Sequence, residues 1–272
     1  MVGHSYGDGA SAIIKGAEAI HLQEEGSNGV LLLHGFGDTP QTLSLLATRL
    51  AKSGYAVYAP LLPGHGRTMD AFRTSTADEW IDAAKEAALT MVKRHATTSV
   101  VGLSMGGALA VIVAAEMRNI ASLVLIAPYL GMPRLLGFAA ATHRLWGRWA
   151  GDINARNPRS IYDPLERDKN LAYGAVTGRA LYELSRVVKR ARRALPGVSV
   201  ATLIIQSRED PRVSPAVARF ALQALGARDK KLVLTKGAGH IITVDYGRDL
   251  VFTEVENWLR TYDRRSATAA AK

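Results

Sequence analysis

Short apolar runs alternate along the chain with stretches whose apolar residues recur at helical spacing. Val30-Leu31-Leu32-Leu33 is a continuous apolar run bounded by turn residues, the pattern of a strand buried on both faces. In positions 39–52, Leu43, Leu46, Ala47 and Leu50 recur at i, i+3, i+4 and i+7, which predicts an amphipathic helix. Thr39-Pro40 supplies its N-cap and first residue, and Gly54 ends it. Further strands are predicted at 55–60, 99–103, 123–126, 200–207 and 231–235, and helices at 77–95, 106–117, 215–225 and 246–262. Thr76 with Glu79 makes a capping-box pattern ahead of the second helix. Positions 10–23 hold apolar pairs broken by Gly16, one or two edge strands. This alternation predicts an α/β fold: right-handed crossovers and a mostly parallel sheet flanked by helices.

The rhythm breaks once. Between Ala127 and Val200 no strand is predicted, far more chain than one crossover helix needs. Residues 129–190 therefore read as a small insertion over one end of the sheet, between core segments 1–128 and 191–262. Its Leu135, Leu136, Phe138, Trp146, Trp149, Tyr162, Tyr173 and Tyr182 either cover that edge or fill a core of their own. Residues 263–272, ending Ser-Ala-Thr-Ala-Ala-Ala-Lys, are expected to be a disordered tail.

Composition narrows the classes. The 272 residues are 48% hydrophobic and 21% charged, which excludes wholesale disorder. Cysteine is absent, so disulfides, thiolate metal sites and a cysteine nucleophile are excluded. The net charge is +10, with basic runs at Lys189, Arg190, Arg192, Arg193 and at Arg264, Arg265. Neither run is interleaved with stacking aromatics, so both read as solvated surface and no nucleic-acid partner is expected. The first residues, Met1-Val2-Gly3-His4-Ser5, lack a basic region followed by an apolar core; with the missing cysteine this points to the cytoplasm. Residues 96–115 carry no charge and are long enough to span a membrane. Gly102, Gly106 and Gly107 inside them fit a buried strand, a tight turn and a buried helix better, and no stable membrane insertion is expected.

The candidate chemistry lies in that stretch. Gly102-Leu103-Ser104-Met105-Gly106 is a G-x-S-x-G pattern between an apolar strand and an apolar helix. The pattern alone is weak in a chain with 25 glycines, but that context is specific. A strained turn would hold Ser104 exposed above the sheet, and glycine at 102 and 106 leaves it room. A serine hydroxyl needs a base to be a nucleophile. His240 follows a predicted strand in Gly237-Ala238-Gly239-His240 and precedes the last helix, where the sheet's carboxyl edge should receive it. The imidazole needs an acid to fix its tautomer. Asp210 lies just beyond the strand at 200–207; Glu209 beside it is the competitor, and Asp210 is preferred. An oxyanion would be held by the backbone N–H of Met105, after the nucleophile, and by that of Phe36 in the loop His34-Gly35-Phe36-Gly37. His34 and His65 read as structural, and His4, His21, His95 and His143 belong to no constellation. There is no H-E-x-x-H, no G-x-x-x-x-G-K-[ST] and no G-x-G-x-x-G after the first strand, so no metal and no cofactor is expected.

With these residues in place, the chain resembles the α/β-hydrolase superfamily over nearly its whole length, and more closely the bacterial carboxylesterase and monoacylglycerol lipase group. The matching pieces are the stretch from His34 to Pro40, Leu62-Pro63-Gly64-His65-Gly66, Gly102-Leu103-Ser104-Met105-Gly106-Gly107, Ser207-Arg208-Glu209-Asp210, and His240 followed by Ile241-Ile242-Thr243-Val244-Asp245, similar to the group's H-[VI]-x-T-x-D pattern. The resemblance implies a mostly parallel sheet with a small cap inserted after the sixth strand. It also implies nucleophile, acid and base at Ser104, Asp210 and His240, with oxyanion donors at Phe36 and Met105. Serine rather than aspartate at 104 argues against the covalent-carboxylate chemistry of haloalkane dehalogenases and epoxide hydrolases. The resulting expectation is a cofactor-free serine hydrolase acting on a small-molecule ester, short- to medium-chain acyl esters or monoacylglycerols. The same triad would serve acyl transfer, amide cleavage or carbon–carbon bond hydrolysis. A catalytically idle ligand-binding member of the fold is disfavoured because no triad residue is missing. An exposed apolar insertion would suit a homodimer or lipid contact.

Overall fold

The computed structural model describes residues 12–147 and 149–270, with side chains as far as Asp263. His4, the start of the 10–23 stretch and the last two tail residues lie outside the described residues, as do the side chains of Arg264 and Arg265. The first half runs β1 (Ile20–Leu22), β2 (Asn28–Leu33), α1 (Ser44–Lys52), β3 (Ala56–Ala59), α2 (Met69–Thr74), α3 (Ala77–Arg94), β4 (Thr97–Leu103), α4 (Met105–Glu116) and β5 (Leu123–Ile126). Then follow α5 (Arg134–Ala141), α6 (His143–Trp146), β6 (Ile153–Asn154), α7 (Pro164–Lys169), β7 (Ala175–Val176), α8 (Gly178–Ala194), β8 (Thr202–Ser207), α9 (Pro215–Ala224), β9 (Lys230–Thr235) and α10 (Arg248–Ala270).

Seven strands form the main sheet in the order β1-β3-β2-β4-β5-β8-β9. Only β1 is antiparallel to its neighbour; the other pairs are parallel. Side chains alternate across β2, so Leu31 and Leu33 enter the core under α3 and α4, while Val30 and Leu32 enter the core under α1 and α10. Both faces are thus covered, and the continuous apolar runs follow from that. The uncharged stretch 96–115 is β4 and most of α4, whose residues from Met105 to Ala114 are all buried. No helix among the described residues is long and apolar enough to cross a membrane.

Several boundaries differ from the sequence reading. The helix expected from position 39 starts at Ser44, because Pro40–Leu43 is a 3₁₀ turn. Thr39 caps nothing with its side chain; its own N–H is capped by Asp38 Oδ1 at 2.9 Å. Among the described residues of 10–23 there is one short strand, β1, within the one or two expected, and the inserted residues follow the fifth of the described strands. The backbone expected to be a disordered tail continues α10 to Ala270, where three alanines after Ser266 favour propagation from a packed helix. The residues from 129 to 190 also divide by what they touch. Tyr129 to Thr177 carry short elements, whereas α8 packs along α4 and α3 beside the sheet. Its basic run is partly engaged there: Arg190 pairs with Asp78 at 2.5 Å, and Arg192 donates to Leu130 O and lies over the Phe220 ring.

Candidate active site

Four loops leave the carboxyl edge of the sheet side by side. Register pairs Leu33 of β2 with Gly102 of β4, Leu103 with Ile126 of β5, Ile126 with Ile205 of β8, and Ser207 with Thr235 of β9. The loops after β2, β4, β8 and β9 carry Phe36, Ser104, Asp210 and His240. The chain turns from β3 on one side of β2 to β4 on the other, so Ser104 stands where the strand order reverses, the usual crevice of an open parallel sheet.

Ser104 has φ 56° and ψ −117°, a conformation that a side chain rarely adopts. It is held there from three directions. Its N–H donates to Ile126 O at 2.9 Å, and its carbonyl accepts from Gly107 N and Tyr129 N, both at 3.0 Å. The glycines are obligatory for packing. A Cβ on Gly102 would lie 2.2 Å from Gly106 O, and one on Gly106 would lie 2.0 Å from Leu33 O. The turn ends at Met105, the first residue of α4, whose N–H belongs to the free first turn at the positive end of the helix dipole.

The three expected residues meet. Ser104 Oγ lies 2.8 Å from His240 Nε2, and His240 Nδ1 lies 2.8 Å from Asp210 Oδ2. The carboxylate fixes the imidazole proton on Nδ1, which leaves Nε2 to accept from the serine hydroxyl. Burial acts to raise the Asp210 pKa. The charge and hydrogen bond of His240, with the N–H groups of Val213 and Arg212 on Oδ1, outweigh it and hold the carboxyl below its ordinary value. Gln206 Nε2 adds a bond to Oδ2 at 2.9 Å. Glu209, the competitor, is exposed and turns away: its carboxylate accepts from Ser207 Oγ and Gly237 N.

The Phe36 loop lies against Ser104, since a Cβ on Gly35 would be 3.4 Å from Ser104 Cβ. Phe36 is anchored by ring contacts with Phe72 at 5.0 Å and Trp80 at 5.8 Å. Beneath it, His34 is buried; its Nδ1–H donates to Gly35 O at 2.9 Å and its Nε2 accepts from Leu62 N at 3.1 Å. Burial holds its pKa well below the ordinary value, with His65 adding to the effect. His65 donates from Nδ1 to Pro63 O and packs edge-on against Phe72 and Trp80; burial lowers its pKa to about 4. Both rings are neutral structural posts. Among the described residues no cluster of three His, Cys, Asp or Glu is arranged to hold a metal ion.

Sequence reasoning missed several residues that shape the site. Asp38 is buried in the Phe36 loop, accepting from Thr39 N and Thr42 Oγ1. Its pKa is raised to about 6 by burial, against the N–H of Thr39, the Thr42 hydroxyl and the nearby His240. Asp245 is fully buried and accepts from four backbone N–H groups, those of Tyr162, Asp163, Gly239 and Tyr246. The signal for Asp245 was in the motif after His240; Asp38 had none beyond its place beside the loop glycines.

The family model described as serine aminopeptidase, S33, matches residues 25–246. A thermostable monoacylglycerol lipase of Bacillus sp. (strain H-257) is 30% identical over 241 residues, 88% of this chain and 92% of that protein. A carboxylesterase of Bacillus subtilis (strain 168) is 23% identical over 88% of this chain and 94% of its own. A solved structure described as one of two metagenome-derived lipolytic enzymes, LipS and LipT, superposes with a TM-score of 0.84 at 29% identity, covering 92% of this chain and all of that one.

Proposed function

Because the chain belongs to the serine aminopeptidase S33 family of α/β-hydrolases and is a hydrolase of its lipase and esterase type, we propose that it cleaves small carboxylic esters through an acyl-enzyme on Ser104. The substrates proposed are short- to medium-chain acyl esters and monoacylglycerols. One observation carries the mechanism: an unbroken relay from Ser104 Oγ through His240 to a buried Asp210, each step 2.8 Å.

Ser104 Oγ attacks the ester carbonyl as its proton passes to His240 Nε2. Asp210 keeps the imidazole oriented and stabilises its cation. The oxyanion is received by the N–H groups of Met105 and Phe36, donors of a kind whose single loss typically costs about 3 kcal/mol of barrier. The imidazolium returns the proton to the leaving alcohol. Water, activated by the same His240, then releases the acid. Ester rather than amide cleavage is favoured by the names of the relatives, monoacylglycerol lipase and carboxylesterase, over the peptidase name of the family.

The residues after Tyr129 supply the proposed cap, and Leu135, Phe138, Leu145 and Trp149 on it are exposed. Such a surface suits an ester presented in a lipid aggregate, or a second copy of the chain. A protein without cysteine suits a reducing compartment such as the cytoplasm. The test is labelling with a fluorophosphonate followed by peptide mapping, beside release of fatty acid from monoacylglycerols of graded chain length. The expected result is label on Ser104 and release that peaks at short to medium chains. Label on Ser104 with no ester turned over would overturn the substrate class; label elsewhere would overturn the nucleophile.

A further inference from the structure

Residues 155–163, in the inserted segment, touch both loops that carry the acid and the base. On the base side, the carbonyl of Ser160 accepts His240 N–H and Ile241 N–H, both at 2.9 Å. The approach is so close that a Cβ on Gly239 would lie 2.2 Å from Arg159 O and 2.6 Å from Ser160 O. Two residues further along the insertion, the Tyr162 and Asp163 N–H groups bind the Asp245 carboxylate, which also holds Gly239 N. On the acid side, Arg212 reaches back from the Asp210 loop. Its Nε donates to Ser160 Oγ at 3.0 Å and its Nη2 to Ala155 O, while its own N–H binds Asp210 Oδ1 at 2.7 Å. Among the described residues no carboxylate forms a salt bridge with Arg212.

We propose that Arg212 and Ser160 are positioning residues that latch the inserted segment to the catalytic acid and base together, so that the alignment of His240 depends on a segment outside the sheet. This inference rests on the triad reading above. Ser160 is the shared point: its carbonyl sets the backbone of His240, and its hydroxyl accepts from Arg212 of the Asp210 loop, beside a longer bond from the Tyr162 hydroxyl to Glu209 O at 3.4 Å. The base sits in a loop after β9, with no further strand among the described residues. Its ring is placed by Asp210 and its backbone by Ser160, and Arg212 ties those two constraints to each other. Segment 155–163 therefore cannot swing away to admit substrate without separating acid from base.

The experiment is a double-mutant cycle on the full chain with Arg212→Met, Ser160→Ala and the pair, plus Arg212→Lys, using a p-nitrophenyl ester and a fluorophosphonate. Wild-type turnover is read first, and its absence would count against the triad reading rather than the latch. With turnover present, Arg212→Met is expected to lower kcat 10- to 100-fold with KM changed less than threefold. The fluorophosphonate inactivation rate should fall in proportion, and the melting temperature should stay within a few degrees because Arg212 lies at the surface. Ser160→Ala is expected to cost less once Arg212 is gone, and Arg212→Lys to recover part of kcat. Unchanged kcat in Arg212→Met, strictly additive effects in the cycle, or losses that merely follow the unfolded fraction would overturn the proposal.

Discussion

The backbone of Ser104, at φ 56°, survives because Gly102 and Gly106 leave it room and main-chain bonds to β5, α4 and Tyr129 hold it. Gly106→Ala puts a methyl group 2.0 Å from Leu33 O, so the end of β2, Ser104 or both must shift. A loss of activity of at least 100-fold is expected in the soluble fraction, where a misplacement of about 1 Å can cost that much; ester hydrolysis beside circular dichroism checks it. Asp38 gives a pH signature. Its pKa rises from 3.8 in the open chain to about 6 in the fold, so folding favours the protonated form. Its stabilising contribution is complete below the lower value and is lost as pH rises through the higher one. Going from pH 5 to pH 8 should therefore cost wild type about 1–2 kcal/mol that Asp38→Asn does not lose, read by urea unfolding of both proteins. His65 acts in the opposite sense. Its pKa falls from 6.5 to about 4, so its contribution is present above 6.5 and is lost as pH falls between those values. Unfolding of His65→Gln should be flatter than wild type across that window.

At the scale of elements, strands and helices buried on one clean pattern were legible in the sequence. β2, β5 and β9 lie within two residues of the apolar runs that predict them, and the Thr76–Glu79 capping box forms at the start of α3 with both of its bonds. What escaped depends on contacts from afar. The expected 129–190 unit gives no hint that α8 lies along α4, because its apolar face and its arginines fit a surface helix as well as a sheet-covering one. Glu183 shows the same limit: it reads as one more charge on a basic helix, yet it is buried and accepts from Ala77 N at 3.0 Å and from Arg186. It thereby caps α3 from another helix. Glu183→Ala leaves a buried donor at the start of α3 unpaired, and a loss of about 1–3 kcal/mol in thermal or urea unfolding is expected. Ser104, Asp210 and His240 were legible because each follows a recognisable strand; Ser160 was not, since its carbonyl bonds to His240 and Ile241 leave no mark on residue type, and Arg212 was not, since its side-chain partners lie more than 50 residues away along the chain.

At the scale of the molecule, the proposed chemistry lies at the edge of the sheet and its proposed cover in the segment after β5. Tyr173 ties that segment to α2 and the loop after β3: its ring stacks on Phe72 at 4.9 Å and its hydroxyl donates to Gly64 O at 2.9 Å. The outer face of the cover is apolar where α5 and α6 expose Leu135, Phe138 and Leu145, with Trp149 beyond them. If that face receives aggregated ester, Phe138→Ser with Trp149→Ser should lower activity on dispersed monoacylglycerol severalfold while leaving a short, soluble p-nitrophenyl ester unaffected. An equal fall on both substrates would point to damage at the site instead. The most direct measurement of the central claim is the hydrolysis of one soluble ester by wild type and by Ser104→Ala, prepared side by side with matched folding. Removal of a triad nucleophile can cost about a millionfold in turnover. The account predicts measurable turnover in wild type and a collapse to near background in the variant; comparable rates in the two proteins would contradict it.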